Sequence, residues 1–183
     1  MSEICIALLR GINVGGRNKL PMKELRGIVE GIGGHAVRTY IQSGNVVFSA
    51  PKQVVKRAAL TIAAGIQQHA GFSSPVVLRT VEELRRVVAE SPYLGPNQEE
   101  RALSVGFLAD EPRPEDLAEL DHQRSPPDEF TVAGREIYLR CPNGVANSKL
   151  TNAYFDSRLA TTSTFRNWRT TRKLLELAEG ARS

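Results

Sequence analysis

Three short segments of this 183-residue chain concentrate the residue types that bind anions and polar groups. They occupy residues 10–19, residues 40–45, and residues 147–152 together with 164–168. Arginine and lysine neutralise phosphates, backbone N–H groups of glycine-rich loops cradle anions, and side-chain amides hydrogen-bond polar edges. The residue types therefore indicate a binding site for a phosphate-bearing ligand.

The first segment reads Arg10-Gly-Ile-Asn-Val-Gly-Gly-Arg-Asn-Lys19, with two glycines spaced as in a phosphate-binding P-loop. The match ends there, because Arg17 stands where that loop needs lysine and Asn18 stands where Mg²⁺ needs a hydroxyl. A nucleoside triphosphatase is therefore not expected. Two interpretations remain, an anion-cradling loop and a glycine-rich connection between a strand and a helix. The candidate binding residues here are Arg10, Asn13, Gly15, Gly16, Arg17 and Lys19.

The second segment, Tyr40-Ile-Gln-Ser-Gly-Asn45, is typical of a hairpin turn between two strands. A turn accounts for the serine, the glycine and the asparagine, but not for Tyr40 and Gln42, which strand alternation places on one face. A turn residue is also favoured over a catalytic serine, because the flanking glycines of a nucleophile elbow are missing. The candidate binding residues here are Tyr40, Gln42, Ser43 and Asn45.

The third segment is predicted to lie at two helix starts, one at Asn147 or Ser148 and one after Thr164. Free N–H groups and the positive end of the helix dipole favour anions at such places. Capping accounts for one residue per helix and leaves the other polar residues unexplained. The helical spacing of the tryptophan favours a core position over a stacking platform. The candidate binding residues here are Lys149, Asn152, Arg166, Asn167 and Trp168.

Other kinds of site are not indicated by the sequence. The three histidines stand apart from one another, and neither Cys5 nor Cys141 has a partner at metal-ligand spacing. No G-x-G-x-x-G motif follows a strand, so we expect no dinucleotide cofactor and no metal. An Asp/Glu pair for acid–base work cannot be identified, and the catalytic residues of any enzyme stay unknown.

The elements that must position these segments follow from hydrophobic spacing and from proline and glycine. In the first half we predict the order strand, helix, strand, strand, helix, strand, which is the ferredoxin-like split βαβ arrangement. Gly27 and Gly31, one turn apart, suggest close packing of the first helix against a neighbour. The predicted bounds are 4–10 for the first strand, Pro21 for the first helix start, 36–42 and 45–49 for the hairpin, Pro51 for the second helix start, and 75–79 for the last strand.

The second half is predicted to be α/β as well, and less regular. Thr80 and Glu83 form a capping box that opens a helix, and further on a strand, a short acidic helix, a hairpin and two helices follow. No internal repeat shows in residue identities. We therefore predict an α/β (α+β) fold with a ferredoxin-like subdomain at 1–80 and a closely packed second subdomain at 81–183.

Composition and charge bound the setting of the protein. Hydrophobic residues make up 41% of the chain, which excludes a disordered protein, and two cysteines exclude a disulfide scaffold. No apolar run is long enough to span a bilayer and the amino terminus has no basic leader, so we expect a cytoplasmic protein with no membrane partner. The net charge of +4 is uneven, because residues 1–50 and 147–183 are basic and 101–146 are acidic. A fold that joins the two ends would build one basic face, and the alternative is a scatter of solvated charges.

Four motifs also carry a family resemblance. They are Leu8–Gly16, Tyr40–Phe48, Ser148–Asn152 and Arg166–Trp168, in this order along the chain. Together they resemble the family called domain of unknown function 1697, over nearly the whole chain. The resemblance implies an α/β fold with a ferredoxin-like first half and a similar second half, and it implies no activity.

Three functional hypotheses follow from the sequence. The leading one is a binding protein for a phosphate-bearing ligand, either a nucleotide-like small molecule or nucleic acid. The second is an enzyme for a small polar or anionic substrate, with Arg10 or Arg166 as an anion clamp and Ser43 or Tyr40 as the reactive side chain. The third is a structural or interaction module whose motifs fix loop geometry. The sequence does not specify an oligomeric state.

Overall fold

A computed structural model describes residues 2–96 and 99–181 of the chain. The chain divides into two compact units, Met1–Arg85 with Lys173–Ser183, and Arg86–Arg172. The described residues form two antiparallel four-stranded sheets and six α-helices, which confirms the predicted α+β class. Among them, no helix is both long enough and apolar enough to cross a membrane.

The first unit has the predicted split βαβ arrangement. Its elements are β1 (Ser2–Leu9), α1 (Met22–Gly31), β2 (His35–Tyr40), β3 (Asn45–Pro51), α2 (Lys52–Ala70) and β4 (Val76–Thr80), and the following helix α3 (Val81–Glu90) continues into the second unit. The sheet has the strand order β2-β3-β1-β4, in which β1 pairs antiparallel with both β3 and β4. The central strand β1 is therefore enclosed by neighbours, and its residues from Cys5 to Leu9 are buried.

Proline and glycine set the ends of the two long helices in this unit. Pro21 and Pro51 are the N-cap residues of α1 and α2, and Gly71 ends α2 in the left-handed conformation with φ of +76°. The apolar stripe of α1 that contains Leu25, Ile28 and Val29 packs in the same core as Phe48. The helices therefore begin where the sequence predicted, and their buried faces cover the sheet.

The predicted close packing at Gly27 and Gly31 is wrong. A Cβ atom at either position would meet no other atom within 4 Å, because both glycines lie on the exposed side of α1. The close approach between α1 and α2 is made by a glycine of α2 instead. A Cβ atom at Gly65 would lie 2.7 Å from Cγ2 of Ile28.

The second unit repeats the topology of the first. Its elements are β5 (Leu103–Leu108), α4 (Pro114–Ala118), β6 (Glu129–Ala133), β7 (Glu136–Arg140), α5 (Asn152–Leu159) and β8 (Ser163–Asn167), followed by the last helix α6 (Trp168–Glu179). The sheet has the order β6-β7-β5-β8, with β5 pairing antiparallel with β7 and β8. Helices α4 and α5 have 5 and 8 residues, against 10 and 19 in α1 and α2, and this explains the less regular sequence pattern.

A buried arginine marks the equivalent position in the last strand of each repeat. Arg79 pairs with Ile6 across β4 and β1, and Arg166 pairs with Val105 across β8 and β5. Each guanidinium donates a hydrogen bond from Nη1 to the preceding carbonyl oxygen at 2.8 Å. The repeat is thus preserved in backbone register and in one side chain, although residue identities elsewhere do not show it.

Candidate functional site

The loop after β1 closes into a small hairpin with its tip at the paired glycines. The Asn13 N–H donates to the Asn18 carbonyl at 2.9 Å, and the Arg17 N–H donates to the Val14 carbonyl at 2.9 Å. Gly15 and Gly16 between them have φ of +57° and +74°. Positive φ at both central residues is the type I′ geometry that glycine adopts without strain. The tip of the loop is exposed, together with the side chains of Arg17 and Lys19.

Two asparagines hold this loop in shape. The Asn13 amide accepts from the Leu20 N–H at 2.8 Å and donates to the carbonyls of Leu20 at 2.9 Å and Gln42 at 2.8 Å. The Asn18 amide donates to the Gly11 carbonyl at 2.8 Å. Both asparagines have positive φ, a conformation that asparagine tolerates better than most residues. Their side chains therefore build the loop, and the bond to Gln42 joins the first polar segment to the second.

The turn between β2 and β3 spans Ile41 to Gly44. The buried Asn45 amide donates to the Tyr40 carbonyl at 3.1 Å and to the Ser43 hydroxyl at 2.9 Å. Gly44 has φ of +83°, and a Cβ atom there would lie 2.6 Å from Cβ of Leu9. Asn45 and Gly44 thus fix the turn, while the Gln42 side chain is exposed and that of Tyr40 is half-buried.

A cavity of about 480 Å³ lies where these two segments meet the start of α1. From the polar segments it is lined by Asn13, Gly16, Lys19 and Gln42. Leu20, Pro21 and Met22 complete the lining, and sequence reasoning did not include these three. Pro21 could have indicated this part of the site from the sequence, because it marks the helix N-terminus that opens into this cavity. No side chain in the described part of the chain caps that helix start.

The third segment lies in the second unit, and its first half differs from the prediction. Residues 147–151 form a loop, and α5 begins at Asn152 with Thr151 as the N-cap, whose hydroxyl accepts from the Tyr154 N–H at 3.2 Å. Lys149 is exposed, whereas the Asn152 amide donates to the carbonyl and the hydroxyl of Ser163 at 2.8 and 3.0 Å. The predicted helix start at Asn147 or Ser148 is therefore wrong, because the side chain that caps this helix is that of Thr151.

The second half of this segment is a strand followed by a helix, where we predicted only a helix after Thr164. Residues Ser163–Asn167 form β8, and Asn167 caps α6 by accepting from the Thr170 N–H at 2.7 Å. Arg166 is 8% exposed and donates from Nη1 to the hydroxyl of Thr164 at 2.9 Å, and burial lowers the pKa of its guanidinium to about 10. Trp168 is buried at 2% exposure.

Within the first unit, then, the structure brings the first and second polar segments together around one cavity. Their asparagines form the loops, and Arg17, Lys19 and Gln42 are among their exposed polar side chains. In the third segment, which belongs to the second unit, Lys149 and Asn167 are exposed, Asn152 is half-buried and Arg166 is buried. Among the described residues, no group of three or more His, Cys, Asp or Glu side chains is arranged to hold a metal ion.

Comparison with known proteins places the chain in a family. No curated protein matches it. A solved structure described as that of the conserved bacterial protein SP0830 from Streptococcus pneumoniae is similar, with a TM-score of 0.67 and 24% sequence identity, covering 97% of this chain and 99% of that one. That similarity shows the fold alone. A family model described as "Protein of unknown function (DUF1697)" matches residues 2–138, about three quarters of the sequence. The chain therefore belongs to this family of unknown function.

Proposed function

We propose that this protein binds a phosphate-bearing ligand in the cavity at the start of α1. The observation that carries the proposal is the convergence of an uncapped helix N-terminus with Lys19 and Gly16 around one cavity. Helix N-termini favour anions through their free N–H groups and the helix dipole, and an ammonium group adds a full positive charge. This combination suits a phosphate group.

The remaining lining of the cavity suits the rest of a nucleotide-like ligand. The exposed Gln42 amide offers a donor and an acceptor to a polar ring edge, and the half-buried Met22 supplies apolar surface. A volume of about 480 Å³ lies in the range of about 300–1,000 Å³ that is usual for small-molecule sites. The cavity therefore supports a nucleotide-like small molecule or one nucleotide of a nucleic acid.

One carboxylate opposes an anion at this helix start. Glu24 lies in the first turn of α1, where it interacts favourably with the helix dipole. A bound phosphate would share that end of the helix with it and would be repelled by it. Removal of this charge is therefore expected to strengthen binding.

The contribution of the third segment to ligand binding stays a prediction. Two of its polar side chains, Asn152 and Arg166, donate hydrogen bonds to groups of their own unit. Those bonds favour the alternative that this segment serves as a structural module, as the asparagines of the first two segments also do. Lys149 is its exposed cation and the residue that a ligand would reach most easily.

The proposal is tested by titrating the protein with inorganic phosphate and with a 5′-mononucleotide, with calorimetric detection at about 50 mM and 300 mM salt. We expect saturable binding that weakens with salt, because a charge-assisted contact is screened. Lys19→Gln should lower the affinity about tenfold, and Glu24→Gln should raise it severalfold.

Lys56→Gln on α2 is the matched control, because Lys56 is an exposed lysine of the same unit outside this cavity. It should leave the affinity unchanged. Absence of binding at low salt would refute the proposal. Equal effects of Lys19→Gln and Lys56→Gln would refute it as well, because the affinity would then depend on the net charge of the protein and not on a lysine in the cavity.

A further inference from the structure

The two loops that border the cavity end in tips that are held side by side. Asn13 precedes the tip of the first loop, Gln42 lies within the second turn, and the Asn13 amide joins them by its 2.8 Å bond to the Gln42 carbonyl. The same amide is fixed to Leu20 through both of its polar atoms. The two tips therefore form one surface with a defined geometry, which we call the tip surface (residues 13–17 and 40–43).

Each tip exposes a large aliphatic side chain. Val14 is 63% exposed and Ile41 is 51% exposed, and they directly follow and precede the joined residues Asn13 and Gln42. Ile41 also has φ of +49°, in the left-handed region that β-branched residues rarely adopt. An asparagine or glycine would remove both the strain and the exposed apolar area. The aliphatic side chains thus serve no visible purpose in shaping the turns, and they offer a contact surface to a partner.

The charge around these tips identifies the kind of partner. Residues 10–19 and 35–45 contain four arginines and lysines and no aspartate or glutamate. Of these, Arg17, Lys19 and Arg38 are exposed. A surface with cations, apolar side chains and a half-buried tyrosine at residue 40 is complementary to a polyanion that also presents flat apolar faces.

We infer that the tip surface binds single-stranded nucleic acid, with phosphates along the cations in and beside this surface and bases laid against Val14 and Ile41. This inference rests on the proposed function and selects nucleic acid from its two ligand classes. An unpaired strand exposes the faces of its bases, whereas a duplex keeps them stacked inside. The exposed Gln42 amide in the second tip also suits base edges, which a lipid surface does not offer.

The experiment compares a fluorescent 12-nucleotide single strand, prepared as RNA and as DNA, with a 5′-mononucleotide at about 50 mM salt. We expect the wild-type protein to bind the strand at least tenfold more tightly than the mononucleotide. In the double variant Val14→Thr with Ile41→Asn, the affinity for the strand should fall about tenfold, while that for the mononucleotide changes less than twofold. Asparagine tolerates the left-handed conformation at residue 41, so this variant is expected to fold.

Leu60→Gln is the control, because Leu60 is an exposed leucine on α2 that lies outside the tip surface. It should bind the strand as the wild type does. The inference is overturned if the strand binds no more tightly than the mononucleotide, if the double variant keeps its affinity, or if a duplex or vesicles of anionic lipid bind more tightly than the strand. Mononucleotide binding would then leave the proposed function standing. If the wild-type protein binds neither the strand nor the mononucleotide, the inference and the proposed function are both refuted.

Discussion

At the scale of single residues, the polar side chains of the motifs divide into two groups by what they contact. Asn13, Asn18 and Asn45 donate to backbone carbonyls of their own loops. The exposed side chains of Lys19 and Gln42 line a cavity, to which Asn13 also contributes. A side-chain amide can replace backbone hydrogen bonds because it carries both a donor and an acceptor, so the same residue type serves loop structure and ligand binding. Sequence composition alone could not separate these two uses.

The two cysteines lead to a prediction about pH. Cys5 and Cys141 are each 1% exposed, and burial raises the pKa of their thiols to about 12 and about 11. Below about pH 9, the ordinary pKa of a thiol, both groups are protonated in the folded and the unfolded chain. Above about pH 9 the thiols of the unfolded chain lose their protons first. The contribution of the buried, protonated thiols to stability is therefore lost as the pH rises toward their pKa values in the folded state. We therefore expect the free energy of unfolding to fall between about pH 9 and about pH 11.

Urea unfolding at about pH 8 and about pH 10.5 measures this effect. A double variant, Cys5→Ala with Cys141→Ala, removes both thiols and should lose less stability between the two pH values than the wild type does. Tyr138, whose pKa burial also raises, to about 12, is present in both proteins and so cancels in the comparison. Equal losses in the two proteins would contradict the prediction.

At the scale of elements, the turn between β2 and β3 shows how one glycine determines a local structure. The sequence predicted a hairpin at Ser43–Gly44, and the structure has a turn there that extends from Ile41. The tertiary contact with Leu9 explains why glycine is needed, because the central strand β1 passes directly beneath the turn. This close approach could not be read from the segment itself.

Gly44→Ala is expected to lower the free energy of unfolding by about 2–5 kcal/mol, because a methyl group would clash with Leu9 as well as strain the backbone. Gly71→Ala is the matched control. Gly71 also has positive φ, at +76°, but a Cβ atom there would meet open space, so the cost should be about 1–2 kcal/mol. Denaturant unfolding of both variants compares the two costs. If the two variants lost equal stability, the contact with Leu9 would add nothing to the cost of the Gly44 substitution, and the prediction would be wrong.

The strand β8 shows where local pattern reasoning failed. Thr164 looked like a helix cap, and a helix was predicted to follow it directly. Residues Ser163–Asn167 instead pair with β5 along their length, and the helix begins only at Trp168. Strand pairing gives the backbone N–H and C=O groups of this segment hydrogen-bond partners about 60 residues earlier in the chain. Local propensity does not include the stabilisation that comes from such long-range pairing.

At the scale of the whole molecule, the chain contains the same βαββαβ topology twice, and the last helix, α6, crosses the division between the two units. Its residues to Arg172 belong to the second unit, and those from Lys173 belong to the first. Leu174 and Ala178 on this helix have no exposed surface. Residues 173–181 are therefore part of the packed structure of the first unit.

Leu174→Ala is expected to lower the free energy of unfolding by about 2–5 kcal/mol, because it leaves a cavity at a fully buried position. Glu176→Ala, two residues along the same helix, removes only an exposed ion pair with Lys173 and should cost less than about 1 kcal/mol. Thermal or urea unfolding measures both. A Leu174→Ala variant as stable as Glu176→Ala would contradict the structural role assigned to this helix.

The sequence by itself determined the fold class, the order of elements in the first half, the helix starts at Pro21 and Pro51, and the segments in which polar residues accumulate. These features depend on periodicity, proline, glycine and capping residues, which act within a few positions along the chain. Only the tertiary structure decided that the second half repeats the first, that residues 163–167 form a strand, and that Asn13 joins two loops around a cavity. Those features depend on contacts between distant residues, and the sequence carries no local sign of them.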